Sequence, residues 1–489
     1  MTLLSRRELF AQLTAITPAA TPAPLRAPDP LVHFMNRTSF GIRQAEYLAA
    51  KGMGLDAWVN LQLNPAPLDV SALETAISTN FTTISLSGPA LYNTYGPQTQ
   101  LQFQPLSELR AATLLRQVYS PRQLFEVMVE FWTNHFSVEH AGQFVRMAKT
   151  LDDRDIREHA LGNFRDLLRA NAHGPAMLYY LDNYVNVKGN PNENYGRELL
   201  ELHTLGVDGG YTEADVVEVA RAFTGWSVNT RRAEFVFVAN NHDTEAKTVL
   251  GKRLAANRGM QDGEDVLDLL ASHPSTARFI ASKLIRRFVV DTPSEDLVMK
   301  VSTTFIKSGG DIKAMLRTIF GSVDFAASAD LKVKRPAEFV VSALRVSEST
   351  LTGTTYYRVL TDRLEGLGQQ FSNWPTPDGY PDIQGYWINT SAWLNRWNYA
   401  FALSDGTLDR GLLINEATLA AGAQTPEQIV DRLTERLLRR ELTSADRAAM
   451  VTLAAANGSA TATLTGTTLS TRIREVIAVL LSSRYFNYR

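Results

Sequence analysis

Cysteine is absent from all 489 residues, which excludes disulfides, thiolate metal sites, iron–sulfur clusters and cysteine nucleophiles. Any metal would have to be held by His, Asp, Glu, Asn or backbone carbonyls. Long apolar runs are missing as well, and with no stretch of about 18 apolar residues no transmembrane helix is expected. Net charge is almost nil, 49 Lys and Arg against 51 Asp and Glu. Without an overall basic field, nucleic acid is not an expected partner. Histidine is scarce and lopsided: there are eight and none follows His273, so histidine chemistry belongs to the earlier part of the chain. Phosphate loops of the GxxxxGK[ST] or GxGxxG kind and the GxSxG nucleophile elbow do not occur. His135 and His140 are about 140° apart on a helix, which breaks the one-face pair of a zinc protease. Tyr184 and Val187 break the EF-hand spacing in 182–193, and no repeat of solenoid length is found.

What remains is an ordinary globular mixture, 45% hydrophobic and 20% charged. From Leu31 onward most segments carry apolar residues at helical spacing, with stop signals between them. SPRQLFEVMVEFWTNHF has Ser120 to cap and Pro121 at the first helical position. In HPSTARFIASKLIRRFVV, Pro274 stands early and His273 is placed to cap. Residues 233–250 differ: Phe235 and Phe237, then Thr248 and Leu250, flank an Asn/Asp-rich turn and predict a small hairpin. The expected fold is therefore mainly α, one large multi-helix body over 31–489 with one small β-hairpin insertion. A joint is possible near 349–356, where STLTGTTY is rich in Thr and Ser. Residues 1–30 read as a leader and Pro-rich linker. Ser5, Arg6 and Arg7 precede a short apolar stretch, as in a twin-arginine export signal; the alternative is a helix over 6–16 that ends at Pro18. Export would make the protein periplasmic or extracytoplasmic, and without it the chain would be cytoplasmic.

The densest chemistry lies in DNYVNVKGNPNENYGRELLELH (182–203). Asn190, Pro191 and Glu193 have the order of a capped helix start, which predicts a helix over 191–205 that stops at Gly206. Tyr195, Leu199, Leu202 and Gly206 would share its core stripe, with Glu198 and His203 on either flank, both able to reach the interior. Glu198 and Glu201 are neighbours on such a helix with Asn194 and could hold a cation or share a proton. The alternative is a solvated acidic face in which Glu193 and Glu201 pair with Arg197. Asp152, Asp155 and His159 also share a face. His242 and Asp243 sit in the expected hairpin turn, where turn chemistry explains them equally well. Trp374, Trp387, Trp393 and Trp397 could line a groove for a sugar or another ligand with Asn373, Asp378, Asn389 and Arg396, or be core and turn residues.

Several segments carry a resemblance. VHFMNRTSFG (32–41), EFWTNHFSV (130–138), IREHALGNFRDLL (156–168), PAMLYYLDN (175–183), the run NPNENYGRELLELHTLGVDGGYTEADVVEVARAFTGW (190–226), HDTEAKTVLG (242–251), HPSTARFIASKL (273–284) and the region from WPTPDGY to WINTSAWLNRW are similar to the bacterial family called domain of unknown function 1800. The likeness extends from about Leu31 to the end of the chain, and Gly196 stands where the family more usually has Ala. The resemblance implies an all-helical extracytoplasmic protein, often exported. It also implies a possible exported partner from a neighbouring family that resembles alkaline phosphatases and sulfatases. No particular reaction follows from it.

Together these readings lead to an expected exported enzyme, a hydrolase or transferase acting on a cell-envelope polymer. Its expected catalytic set is Glu198, His203, Glu201, Arg197, Asp182 and Asn183. Asn194, Trp374, Trp387 and Arg396 would bind substrate. His135, His159, His242 and Asp243 would hold a possible divalent metal, whether magnesium, manganese, iron or zinc. The competing expectation is a non-catalytic envelope scaffold that binds a partner protein or polysaccharide and uses the same polar residues as a buried network.

Overall fold

The computed structural model describes residues 27–96, 99–140, 142–351, 356–456 and 458–489. The expected export signal lies outside them, as do four residues of the expected joint, 352–355. Among the described residues there are 26 α-helices and three two-stranded antiparallel sheets. The mainly α expectation holds. One contiguous apolar core runs from Leu31 to Phe486.

The helices that carry the buried charges and line the clefts are α1 (Pro30–Thr38), α2 (Gln44–Met53), α3 (Gln104–Tyr119), α4 (Gln123–His135), α5 (Gln143–His159), α6 (Pro175–Tyr180), α7 (Asn194–Glu198), α8 (Glu213–Ala222), α9 (Pro274–Phe288), α10 (Pro336–Val346), α11 (Thr390–Ser404), α12 (Pro426–Leu438), α13 (Ser444–Ala455) and α14 (Gly466–Ser482). Their starts follow local chemistry. The Asp29 carboxylate accepts from Leu31 N ahead of Pro30, and His273 Nδ1 accepts from Ser275 N ahead of Pro274, as proline at the first position favours. Ser120 instead turns the chain by accepting from Arg122 N, and α4 starts two residues later than expected.

The β structure departs from expectation in its pairing. The two halves of 233–250 do not pair with each other. Glu234–Phe237 (β2) pairs with Trp226–Asn229 (β1), and Lys247–Val249 (β3) with Lys252–Leu254 (β4). Aromatic packing accounts for the choice: Trp226, fully buried, lies against Phe223 and Phe235 at 4.8 and 5.0 Å, so β2 is drawn back onto β1. The Asn/Asp-rich segment becomes a link held by its own contacts, with Asn241 O accepting from Lys188 N. A third pair, Thr350–Leu351 (β5) with Leu412–Leu413 (β6), joins residues too distant in sequence for a turn signal to announce it.

Every residue of α10 is buried, and two of them are charged, so both need internal partners. The Arg345 guanidinium reaches both carboxylate oxygens of Glu46 and the Gly41 carbonyl. Glu338 lies at the centre of a larger lattice. Its Oε1 takes Arg287 Nη2 at 2.7 Å, Arg489 Nη2 at 2.8 Å and Arg335 Nη2 at 3.3 Å, and its Oε2 accepts the Arg335 backbone N–H at 2.8 Å. Burial alone would raise the Glu338 carboxyl, but Arg287, Arg489 and Arg335 outweigh it and hold the group well below the usual range. Glu130 of α4 binds Arg335 at 2.7 Å. The lattice ties α4, α9, α10 and the chain end together.

Glu338→Gln keeps the shape and deletes the charge that the guanidiniums share. Removing one partner of a buried ionic group costs about 3–5 kcal/mol, and urea unfolding of the variant is expected to show a loss of that size; a loss below about 1 kcal/mol would show that the lattice is not stabilised by this carboxylate.

Candidate active site

The segment richest in candidate chemistry folds differently from a plain helix. Glu193, not Asn190, stands at the N-cap, and Asn192 closes the turn before it by accepting from Asn194 N. After α7 the chain widens into a π-helical turn over Leu199–Thr204. Leu205 N bonds to Leu200 O, five residues back, and the Thr204 hydroxyl fills the wide turn by donating to Leu199 O. The extra residue per turn brings Leu200 and His203 inside, where a regular helix would have placed Leu202. Gly196 lets α7 close on α8, since a Cβ there would stand 3.2 Å from Ala220 N.

His203 and His135 lie together beneath this turn, with ring centroids 6.3 Å apart and Phe136 and Phe279 around them. The only ring hydrogen bond between them and the chain, among the described residues, is His135 Nε2 with His203 O at 3.1 Å. Burial, then the nearby Lys283, lowers His203 to about 3 and drives His135 well down too. Both are neutral aromatic packing at physiological pH.

Glu198 is half-buried and has no hydrogen-bond or ion-pair partner among the described residues. Burial and the charges of Glu201 and Asp378 push its carboxyl up, against a smaller opposing effect of Arg197. Asp378 belongs to the WPTPDGYP loop, and its Oδ1 accepts from Trp374 Nε1 at 2.8 Å and Thr376 Oγ1 at 2.5 Å. Tyr180 meets the same loop by donating to Pro375 O at 3.4 Å; burial, then Glu139, Glu198 and Asp378, raises it to about 12. Lys283 of α9, whose ammonium is 5.4 Å from the Phe279 ring centre, is lowered to about 8 by burial and Arg286, with Asp378 and Asp382 opposing. The charge of Asp378 thus acts on Glu198, Tyr180 and Lys283 alike.

That loop is strapped down along its length. Asn134 and Tyr380 exchange hydrogen bonds at 2.9 and 2.8 Å. Gly379, at φ +74, passes so close that a Cβ would stand 2.2 Å from Asn134 O, which only glycine permits. Trp374 and Tyr380 also line a cleft of about 840 Å³, open mouth included, whose floor comes from α3, α4 and α5. The floor is charged. Lys149 and Asp152 pair at 2.5 Å, both buried, while Arg157 binds Glu126 and Asp153. Gln117 Oε1 and Arg110 Nη2 line the cleft without a partner. Beside this floor, burial and the charges of Asp152 and Glu158 raise Asp155 to about 7.

The other expected site residues are placed elsewhere. Asp182 is exposed in a left-handed turn at φ 59. Asn183, buried, donates to Trp226 O and Phe223 O. Arg197 forks onto Glu213 at 2.7 and 2.9 Å and reaches Glu193 at 3.3 Å, so its expected pairing with Glu201 is replaced by one with Glu213. Glu201 lies beside Tyr211, and Asn194 is exposed. Trp387 donates to Pro381 O, and Arg396, 1% exposed, is an internal brace bonded to Asn487 and Lys334 O. Of the expected groove residues Trp374 alone lines the cleft. His242 packs on Thr224 O and Asp262, Asp243 on Arg221, and His159 ends α5. No group of three or more His, Asp or Glu among the described residues is placed to hold a metal ion. The four expected ligands do not converge.

Apart from Asp152, which shares a helix face with Asp155 and His159, the charged floor went unread in the sequence, although a signal was there. Glu126 and Glu130 interrupt an otherwise apolar α4 at a spacing of four, and Lys149, Asp152 and Asp153 fall on the buried face of α5.

A helical body built around a loop-roofed polar cleft defines the class, and comparison supplies the family. The model of the family described as "Protein of unknown function (DUF1800)" matches residues 33–488, and the chain belongs to that family. No curated protein and no solved structure matches it.

Between about pH 3 and 6.5 an unfolded chain binds a proton at His203 that the folded protein refuses. Stability is therefore full above about 6.5 and falls as pH drops through that window. The melting temperature is expected to rise from pH 4 to pH 6.5, and His203→Leu to shrink that rise. An unchanged slope in the variant would show that His203 is not held neutral.

Proposed function

We propose that the chain is an enzyme that performs hydrolysis or group transfer by acid–base chemistry on a hydroxyl-rich polymer of the cell envelope. The observation that carries this reading is Glu198, a half-buried, unpartnered carboxyl raised by burial and by the charges of Glu201 and Asp378. A half-buried, unpartnered carboxyl beside an exposed, hydrogen-bonded one suits a proton donor and a residue that orients the acceptor. In this reading Glu198 protonates the leaving oxygen, and Asp378 orients water or the accepting hydroxyl. Trp374 offers its ring face to a sugar, and the polar cleft holds the adjoining units. Arg197, Asn183 and His203 act as positioning residues, fixing the turn that presents Glu198. Read as an export signal, the Arg6–Arg7 pair and the short apolar stretch after it favour an envelope substrate. Because the metal ligands do not assemble, no step is routed through a metal.

One observation favours the scaffold alternative: Arg197, Asn183, His242 and Arg396 are all saturated or enclosed by the fold itself. Glu198→Gln and Asp378→Asn separate the two readings. General acid–base groups contribute about 10²–10⁴-fold, so both variants are expected to release new reducing ends from envelope polysaccharide fragments at least a hundredfold more slowly while melting as the wild type does. If they keep full turnover, or if wild type releases none from any envelope polymer, the scaffold is the better account.

A further inference from the structure

A second cleft, far in sequence from the first, lies between α2 and the turn that joins α12 to α13, with about 1250 Å³ of space including its mouth. Arg439 follows α12 in the left-handed region, at φ 54 and ψ 28, a position that helices usually give to glycine. Its guanidinium stands over the Tyr47 ring at 4.5 Å and donates to Gln44 Oε1, and its Nε is buried without a partner. Lys51 approaches the same ring at 5.9 Å. Neither cation has a carboxylate partner among the described residues. Nearby acids are engaged: Asp431 takes Arg447 at 2.7 Å and Glu435 takes Arg432 at 3.1 Å, while Arg440 is forked onto Asp330. Glu441 lies on the exposed rim. The Thr434 hydroxyl, also lining the cleft, is buried and unpartnered.

Two uncompensated cations around one ring, with a spare N–H and a spare hydroxyl, match a doubly charged oxyanion better than a single carboxylate, which one guanidinium satisfies. We propose that this cleft binds a phosphate group, held between Arg439 and Lys51, with Tyr47 and the exposed Leu48 supporting the body that carries it. Phosphate chemistry has two sources here, a soluble or polymer-borne phosphate and a lipid headgroup, and one variant serves for both.

Arg439→Gly removes the guanidinium and relaxes the backbone, so it is expected to fold and melt at or above the wild-type temperature. Full-length protein would be titrated with inorganic pyrophosphate by calorimetry and sedimented with vesicles of phosphatidylglycerol or of phosphatidylcholine. Pyrophosphate binding that weakens at least tenfold in Arg439→Gly, and further with Lys51→Ala, supports a soluble or polymer-borne phosphate. Sedimentation with phosphatidylglycerol alone, lost in the same variants, supports a lipid headgroup. Failure of the wild type to bind either probe overturns the proposal, as does binding undiminished in the double variant.

Discussion

Glu338 is a carboxylate with no water to solvate it, and the guanidiniums around it cannot be buried without it. The desolvation of each charge is tolerable only because the others are in place. This mutual dependence fixes the relative positions of α4, α9, α10 and the chain end more tightly than apolar packing would, because a shift of about an ångström leaves a buried charge unpaired. It also reaches the candidate site. Asp382, at the end of the WPTPDGYP loop, is held near 2 because Lys332, Arg335 and Arg287 outweigh its burial. Lys332 bridges it to Asp291, which accepts from Gln384 N. The loop that carries Asp378 is thus tied at its far end to the charged centre of the fold.

The molecule keeps many of its buried ionic groups paired. The salt bridges of the lattice and of the cleft floor are closed sets that stabilise and position. Glu198, Lys283 and Asp155 are partly withdrawn from water and have no opposite charge at bonding distance among the described residues; the more deeply buried Arg37, Lys334 and Arg396 likewise have none but bond to neutral oxygens. Lys283, at about 8, and Asp155, at about 7, change protonation near neutral pH, and the Glu198 carboxyl is raised above its ordinary value; shifted groups of this kind suit proton transfer at a reacting oxygen. Both Glu198 and Lys283 lie around the one loop whose conformation is over-determined, by the Asn134–Tyr380 exchange, by Gly379 and by the Asp382 anchor. A rigid strap over mismatched ionisable groups connects the packing of this fold to its proposed chemistry.

Much of this was legible in the residues. Helical spacing marked the class, Pro274 and His273 marked a helix start, and the Asn-rich run marked the neighbourhood of Glu198. Three things were not legible, each for a physical reason. A π turn depends on where a side chain such as Thr204 finds its acceptor, and periodicity assumes a regular helix. Strand partners are chosen by packing, so Phe235 followed Trp226 instead of the nearer turn. Asp378 was marked as a groove residue beside Trp374, but its electrostatic link to Glu198, 180 residues away, and that of Lys283 to Asp378 were not, since no local pattern carries such distances. The asparagines and arginine that looked most catalytic in sequence, Asn183 and Arg197, hold backbone carbonyls and surface carboxylates. Polarity in a sequence reveals that bonds are needed but not whether the fold already makes them.

The central claim is that Glu198 is a free carboxyl held in its protonated form beyond the range of an ordinary glutamate. Carbon-13 NMR of glutamate-labelled protein measures it most directly, with the Glu198 signal assigned by its loss in Glu198→Gln. A titration midpoint above the ordinary 4.5, lowered again in Asp378→Asn, is the expected result. A midpoint at or below 4.5, indifferent to Asp378, would contradict the account.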